Sequence, residues 1–267
     1  MISQSDTLTL DLKNGLLIIS LNRPAQSNAL NGELVDALFD VFTRLGERDD
    51  IRVVILRAEG KNFCAGLDMR DGDFVPEERN VKALWRVQRR IARIYQAMRR
   101  CPQPIISLVQ GAACGGGFSL ALASDVRILA NTARMNAAYI KIGLTGCDMG
   151  SSYFLPRLVG VSLASELLLT GNFINAHRSL AVGLASDVVA ENALTEVGLR
   201  LAQDMLNNTP MGLRLTKEAL NYSVDAASLE AVMAMEDRHQ SLLSLTEDAS
   251  EAVEAFLQKR APKYRDR

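Results

Sequence analysis

The 267-residue chain predicts an α/β fold: short strands covered on both faces, amphipathic helices between them, and a closing helical region. Three observations carry this. Short β-branched apolar runs recur as "LLIISLN" from Leu16, "VVILRAEG" from Val53, "PIISLVQG" from Pro104, "DVRILA" from Asp125 and "SDVVA" from Ser186. Segments of helical period lie between them. After about residue 195 the strand signal stops and only helical patterns follow.

In chain order, "MISQSDTLTLDLKNG" has no basic stretch leading into an apolar one, so neither a signal peptide nor a transit peptide is expected. Each of the five apolar runs reads as a strand buried on both faces. In "GELVDALFDVFTRLGERDD", Leu34, Leu38, Val41 and Leu45 recur three and four residues apart, and Asn31 is placed to cap that helix. From Val81 to Arg100, Arg86, Arg89, Arg90, Arg93, Arg99 and Arg100 alternate with Leu84, Val87, Ile91, Ile94 and Met98. No acid lies between Glu78 and Asp125. The basic face is read as solvated, with a polyphosphate ligand or an acidic neighbouring subunit as the alternatives. Trp85 and Tyr95 are expected in the core.

The uncharged segment from Cys101 to Ser124 is long enough for a membrane span, but two glutamines, two prolines and four glycines interrupt it. It reads instead as a strand ending at Val109, a turn through Gly111, and Gly115 to Gly117 opening a helix from Phe118 to Ser124. The C-terminal region holds three helical patterns, "LTEVGLRLAQDMLNN", "MGLRLTKEALNYSV" and "SLEAVMAMEDRHQSLLSLTEDASEAVEAFLQKR", broken at Pro210 and Asp225. A core over residues 1–198 and a helical region over 199–267 are expected, with no repeat and no low-complexity linker.

Lys and Arg number 30 against 31 Asp and Glu, a net charge of -1, so no basic field exists to hold nucleic acid or an anionic membrane. Cys64, Cys101, Cys114 and Cys147 show no CxxC spacing, and only His177 and His239 stand beside them as metal ligands. No metal site is expected; reduced thiols and a cytoplasmic location are.

The glycines suggest chemistry. A strand–loop–helix junction at Gly115–Gly117 lets another group approach the backbone, and a helix start offers free N–H groups carrying partial positive charge. That makes an anion or oxyanion site, with tight helix-to-sheet packing as the alternative. No GK[ST] follows, so it is not a phosphate P-loop. A second glycine turn, "GKNFCAGLDMR" from Gly60 to Arg70, also follows a strand. Two such turns can aim two N–H groups at one oxygen, as an enolate or a tetrahedral anion requires.

With "LNRPAQSNALN", "FCAGLDM", "GAACGGGFSLALASDVRI", "LPRLVG", "ELLLTGNFINA" and "AFLQKR" in order along nearly the whole chain, the sequence resembles the enoyl-CoA hydratase/isomerase, or crotonase, superfamily. The resemblance implies a spiral of ββα units with a C-terminal trimerising helical region, as a homotrimer or homohexamer. It implies that the thioester carbonyl of an acyl-CoA accepts hydrogen bonds from the N–H of Leu67 and of Gly116. It places coenzyme A, as part of the substrate and with no permanently bound cofactor, along Phe63, Ala65, Gly66, Leu67, Asp68, Met69, Arg70 and Gly116. Arg23, Ala25 and Ala29 lie nearby in "NRPAQSNA". Lys259 in "FLQKR" matches the residue that meets the phosphates across a subunit boundary; Arg23 and the Arg86–Arg100 group are weaker candidates.

Family hydratases use two glutamates where this chain has Ser119 and Tyr139. Neither is a carboxylate, so hydration by the two-glutamate route is not expected. Ser119 has no histidine near it in sequence to activate it and is expected to bond helix backbone. Tyr139 is read as orienting an acyl chain, donating a proton, or filling the core. Asp148, in "GLTGCDMGSS", is the one acid between Asp125 and Glu166. Counted back from "LPRLVG", it falls where several family isomerases carry a catalytic aspartate and a related dehalogenase its nucleophile; counted forward from Gly143, Cys147 takes that place. The bland alternative for Asp148 is a cap on the following helix. Asp68 is assigned to the turn and His239 to a surface or interface. The expected function is proton transfer that moves the double bond of an enoyl-CoA. Hydration by non-standard residues, thioester hydrolysis, dehalogenation and non-catalytic acyl-CoA binding are the alternatives.

Overall fold

A computed structural model describes residues 5–74 and 80–267. β1 (Leu8–Lys13) and β2 (Leu16–Leu21) form an antiparallel hairpin across Asn14-Gly15, both at positive φ, 51° and 83°. β2 then pairs parallel with β3 (Val53–Ala58), β3 with β4 (Ile105–Val109), β4 with β6 (Val126–Ala130), and β6 with β9 (Asp187–Val189). Parallel pairs need crossovers, and these carry helices onto the faces of the sheet.

Alternation along each strand divides the core in two. Val54, Leu56, Ile105, Val109 and Leu129 face the larger cluster, with Leu34, Val35, Leu38 and Val41 of α1 (Gly32–Arg44) and Ile91, Ile94, Tyr95 and Met98 of α2 (Val81–Arg100). Val53, Ile55, Ile106, Leu108, Ile128 and Ala130 face the other way, under Leu194 and Ala202 of α7 (Leu194–Leu206). The boundary expected at 198–199 falls inside this sheet-covering helix. β9, expected to be buried on both faces, is half-buried because it is the edge strand.

A second sheet joins β5 (Ala112–Cys114), β7 (Arg134–Asn136) and β8 (Ile174–Asn175). The segment expected as a turn between Gly111 and the glycines therefore contains a strand. β4, β5 and α3 (Gly116–Ala123) form one ββα unit; β6 and β7 begin the next, which runs through α4 (Ser151–Val159) and α5 (Val161–Thr170). A short α6 (Ala176–Ala181) follows β8.

Asn31 caps α1 as expected, its side chain accepting from Leu34 N at 3.1 Å. The basic face of α2 is not simply solvated: Arg90 and Arg93 pair with Asp36 at 2.7 and 3.0 Å, and Arg99 with Asp125 at 2.9 Å. Trp85, expected in the core, is 62% exposed, because the buried stripe of α2 starts only at Ile91.

The C-terminal region holds α8 (Pro210–Ser223), α9 (Leu229–Ser244) and α10 (Glu247–Gln258). The long helical pattern from Ser228, which carries His239, is thus two helices, divided where Thr246 caps α10. Buried Lys217 of α8 reaches Asp125 at 2.9 Å and the carbonyl of Gln103 at 2.8 Å, which fixes α8 against the core. No helix among the described residues is long and apolar enough to cross a membrane.

Candidate active site

Each of the three consecutive glycines answers a separate demand. Gly115 adopts φ 50° and ψ -117°, a conformation that side chains with a Cβ avoid. A Cβ on Gly116 would lie 2.8 Å from Leu30 Cδ1, 3.0 Å from Tyr95 Oη and 3.2 Å from Met149 Sδ. One on Gly117 would lie 2.3 Å from the carbonyl oxygen of Cys64. Gly116 is the first residue of α3, so its N–H has no helical acceptor and sits at the positive end of the peptide dipoles.

The second glycine turn is laid against the first. Cys64 N donates to Ala112 O at 3.1 Å, and Cys114 N to Cys64 O at 2.9 Å. Gly66, at φ 95°, comes so close that a Cβ there would lie 2.9 Å from Cys114 O and 3.6 Å from Gly116 N. Leu30 N donates to Gly66 O at 2.8 Å and Asp68 N to Leu30 O at 2.9 Å. Those two bonds turn Leu67's own N–H away from Leu30, since successive peptide groups of an extended segment alternate in direction. Among the described residues, the N–H groups of Leu67 and Gly116 have no acceptor within the chain. Two N–H groups without a chain acceptor thus lie on adjoining turns.

A polar frame holds the turns. Buried Asn28 donates to the carbonyls of Glu59 and Asn62, each at 2.8 Å, and accepts from Arg23 N at 2.7 Å. Asn62 donates to Ser27 Oγ and accepts from Ala112 N at 3.0 Å. Arg23 donates to the Ala29 carbonyl and pairs with Asp68 at 2.9 Å. Burial raises the Asp68 carboxyl, but the hydrogen bonds from Arg23 and from Arg70 N leave it below its ordinary value. Asp68 thus serves the turn, as expected. Ala65, Met69, Arg70 and Ala25 lie exposed on the rim, while Ala29 is buried. Phe63, expected along the coenzyme A path, is fully buried: its ring belongs to the core and presents no surface to a ligand. Lys259 is exposed at the C-terminus of α10 and forms no hydrogen bond or ion pair with these turns among the described residues.

Asp148 approaches from the loop before α4. It is half-buried; Oδ1 accepts from Met149 N at 2.7 Å and from Gln88 of α2, and Oδ2 accepts from no described residue. It does not cap α4, whose N-cap is Gly150 with no side-chain bond. Burial raises its carboxyl above the ordinary 3.8, against the opposing hydrogen bonds from Met149 N and Gln88. Its neighbour Met149 places Sδ 3.1 Å from Tyr95 Oη, which donates to Gly116 O at 3.0 Å. The residue after Asp148 thus packs on the Gly116 turn, whereas Cys147 is exposed.

Ser119 and Tyr139 are buried together, with Ser119 Oγ 2.8 Å from Tyr139 Oη. The Ser119 hydroxyl meets tyrosine rather than the helix backbone expected for it. Burial pushes the Tyr139 hydroxyl up to about 12, with the Asp148 charge adding to the rise and hydrogen bonds from Ser119 and Ser151 opposing it. Asn28, Asn62, Tyr95 and Gln88 are site-building residues that sequence reasoning misses. The available signal is the placement of Asn28 and Asn62 in turn-rich stretches.

Two glycine turns with free N–H groups, on a spiral of ββα units, are the frame of a crotonase-type enzyme. The enoyl-CoA hydratase/isomerase family model matches residues 11–267, and the chain belongs to that family. It is 34% identical over 252 residues to 2,3-dehydroadipyl-CoA hydratase of Escherichia coli, covering 94% of this chain and 96% of that one. It is 32% identical over 253 residues to 1,2-epoxyphenylacetyl-CoA isomerase of the same organism, covering 95% and 96%. The crystal structure of an enoyl-CoA hydratase from Bacillus anthracis superposes with a TM-score of 0.91 at 32% identity, covering 98% of this chain and all of the other. Family members act on CoA thioesters.

Proposed function

We propose that this chain binds an enoyl-CoA, holds its thioester oxygen on the N–H groups of Leu67 and Gly116, and moves the double bond with Asp148 as the single acid/base. Asp148 carries the reading: a carboxylate with one oxygen free of hydrogen bonds among the described residues, raised in pKa and next in sequence to Met149, which packs on Gly116, while the two glutamate positions of hydratases hold hydroxyls. Asp148 takes a proton from C4 of a 2-enoyl thioester, the electron pair moves through C3 and C2 to leave negative charge on the thioester oxygen, and the cradle stabilises that charge. The dienolate collapses as the same carboxyl returns the proton to C2, giving the 3-enoyl thioester with no net gain or loss of atoms.

The chain is proposed to work as a homotrimer, alone or paired as a hexamer, in the cytoplasm. Leu245, Phe256 and Leu257, 87%, 82% and 74% exposed at the end of α9 and on α10, supply the apolar surface for association. Turnover of a panel of 2- and 3-enoyl-CoA thioesters, followed by mass spectrometry after exchange in deuterated water, tests the reaction. Label is expected at C2 and C4 with the mass otherwise unchanged; a gain of water would assign hydration instead. Asp148→Asn should lower turnover by roughly 100-fold or more, the usual share of a positioned acid/base, with little change in binding.

A further inference from the structure

We propose that Ser119 and Tyr139 are positioning residues that polarise the Gly115–Gly116 peptide, the unit whose N–H faces the thioester oxygen. This rests on the reading of Leu67 and Gly116 as the thioester donors. The carbonyl of Gly115 and the N–H of Gly116 belong to one planar, resonance-coupled group, so a hydrogen bond to the carbonyl draws electron density from the nitrogen. Gly115 O accepts two such bonds, from Ser119 N at 3.0 Å and from Tyr139 Oη at 3.2 Å. Tyr139 has one hydroxyl proton and a carbonyl can only accept, so Tyr139 donates to Gly115. With the tyrosine proton so placed, the 2.8 Å contact is assigned with Ser119 donating to the tyrosine oxygen.

The proposed order of donation is Ser119 hydroxyl to Tyr139, Tyr139 to the Gly115 carbonyl, and Gly116 N–H to the ligand. Chains of this kind strengthen each member, by roughly 10–30% per bond. Burial keeps water from competing, with Ser119 at 0% and Tyr139 at 5% exposure. The tyrosine ring also flanks the turn, its Cδ1 and Cε1 each 3.5 Å from where a Gly115 Cβ would be. Hydroxyls that brace the cradle from behind are not free to deliver or activate water, so the two positions that carry acid–base chemistry in hydratases serve the oxyanion donor here.

Tyr139→Phe keeps the ring and removes the last hydroxyl of the chain. The probe is cinnamoyl-CoA carrying carbon-13 at the thioester carbonyl, whose C=O stretching frequency falls as that bond is polarised. On the unaltered protein the bound probe should shift to lower frequency, and Tyr139→Phe should lose a measurable part of that shift. The turnover number kcat should fall about tenfold, short of the ~10²–10³ that follows removal of a whole oxyanion donor. KM should change less than twofold, and the pH profile of kcat should keep its shape. Ser119→Ala should move the same readouts in the same direction by less, and it tests the chain even if Tyr139→Phe does not fold. A full shift in both variants overturns the inference, as does loss of a titration limb in Tyr139→Phe, which would make the tyrosine a proton carrier. No shift on the unaltered protein removes the thioester-donor reading itself, and this inference with it.

Discussion

At the scale of single residues, the burial of Asp148 bears on stability and, in the proposed mechanism, on rate. In the unfolded chain its carboxyl titrates near the ordinary 3.8, and in the folded chain burial holds it higher. The unfolded state therefore binds fewer protons than the native state between those two values. The stability contributed by the neutral form is fully present below 3.8 and is lost as pH rises through the folded pKa. Asp148→Asn keeps shape and acceptor but cannot ionise, so melts at neutral pH should find it as stable as the parent or more so, even as turnover falls. The parent's kcat/KM should rise with pH through an inflection above 3.8 that Asp148→Asn lacks. An inflection retained in the variant assigns it to another group. The site residues legible in the sequence are those whose type states a backbone need: Gly66 and Gly115 at positive φ, Gly116 and Gly117 where a Cβ would collide. Asn28, Tyr95 and Gln88 are not legible, because each acts on a partner remote in sequence, across 31, 21 and 60 positions respectively. Nothing in their local pattern separates them from a loop asparagine, a core aromatic or a surface glutamine.

At the scale of elements, four of the apolar runs appear as β2, β3, β4 and β6 because parallel strands covered on both faces need uninterrupted apolar sequence, and the fifth, β9, is the half-buried edge. The hairpin partner β1 carries a different mark, the alternation of Leu8, Leu10 and Leu12 before Asn14-Gly15, so a search for continuous apolar runs passes over it. The short strands of the second sheet, two or three residues each, are too brief for any period and depend on tertiary pairing. The division between α9 and α10 is local again. Apolar residues continue through "SLLSLTEDASEAV", but Thr246 Oγ1 accepts from Ala249 N at 3.1 Å, and Glu247 and Asp248 occupy the positive first turn of α10. Thr246→Ala should destabilise the protein by about 1 kcal/mol, as loss of an N-cap oxygen does, and Thr246→Ser should restore most of it. Denaturant midpoints of the three proteins check this. If Thr246→Ala unfolds at the parent's midpoint, the break is held instead by Asp248, which accepts from Arg265 N and Asp266 N at 2.7 and 2.8 Å and ties the C-terminal tail to α10.

At the scale of the whole molecule, the sheet and its two coverings are complete within one chain, whereas α9 buries none of its residues. Under the proposed assembly, the apolar side chains exposed over these two helices meet a neighbouring subunit of the same kind. In the proposal, Lys259 connects that assembly to the site. It ends α10 at φ 54° with its side chain in solvent and is proposed to reach the coenzyme A phosphates at the turns of a neighbour. The prediction therefore has two parts that must agree. Light scattering should give three subunits or six, and Phe256→Asp, which puts a charge into the proposed contact, should lower that number. In the assembled protein, Lys259→Glu should raise KM for CoA thioesters by roughly 10- to 100-fold, as expected for a charge-assisted contact of about 1.5–3 kcal/mol. It should leave KM unchanged for N-acetylcysteamine thioesters, which lack the phosphates. In the Phe256→Asp background the Lys259→Glu effect should vanish, because a subunit alone cannot bring Lys259 to a thioester; non-additivity of this kind is what coupled residues display. If Lys259→Glu costs the same in both backgrounds, the lysine reaches a ligand of its own chain or none, and the phosphate site must be sought among Arg23, Arg70 and the basic face of α2.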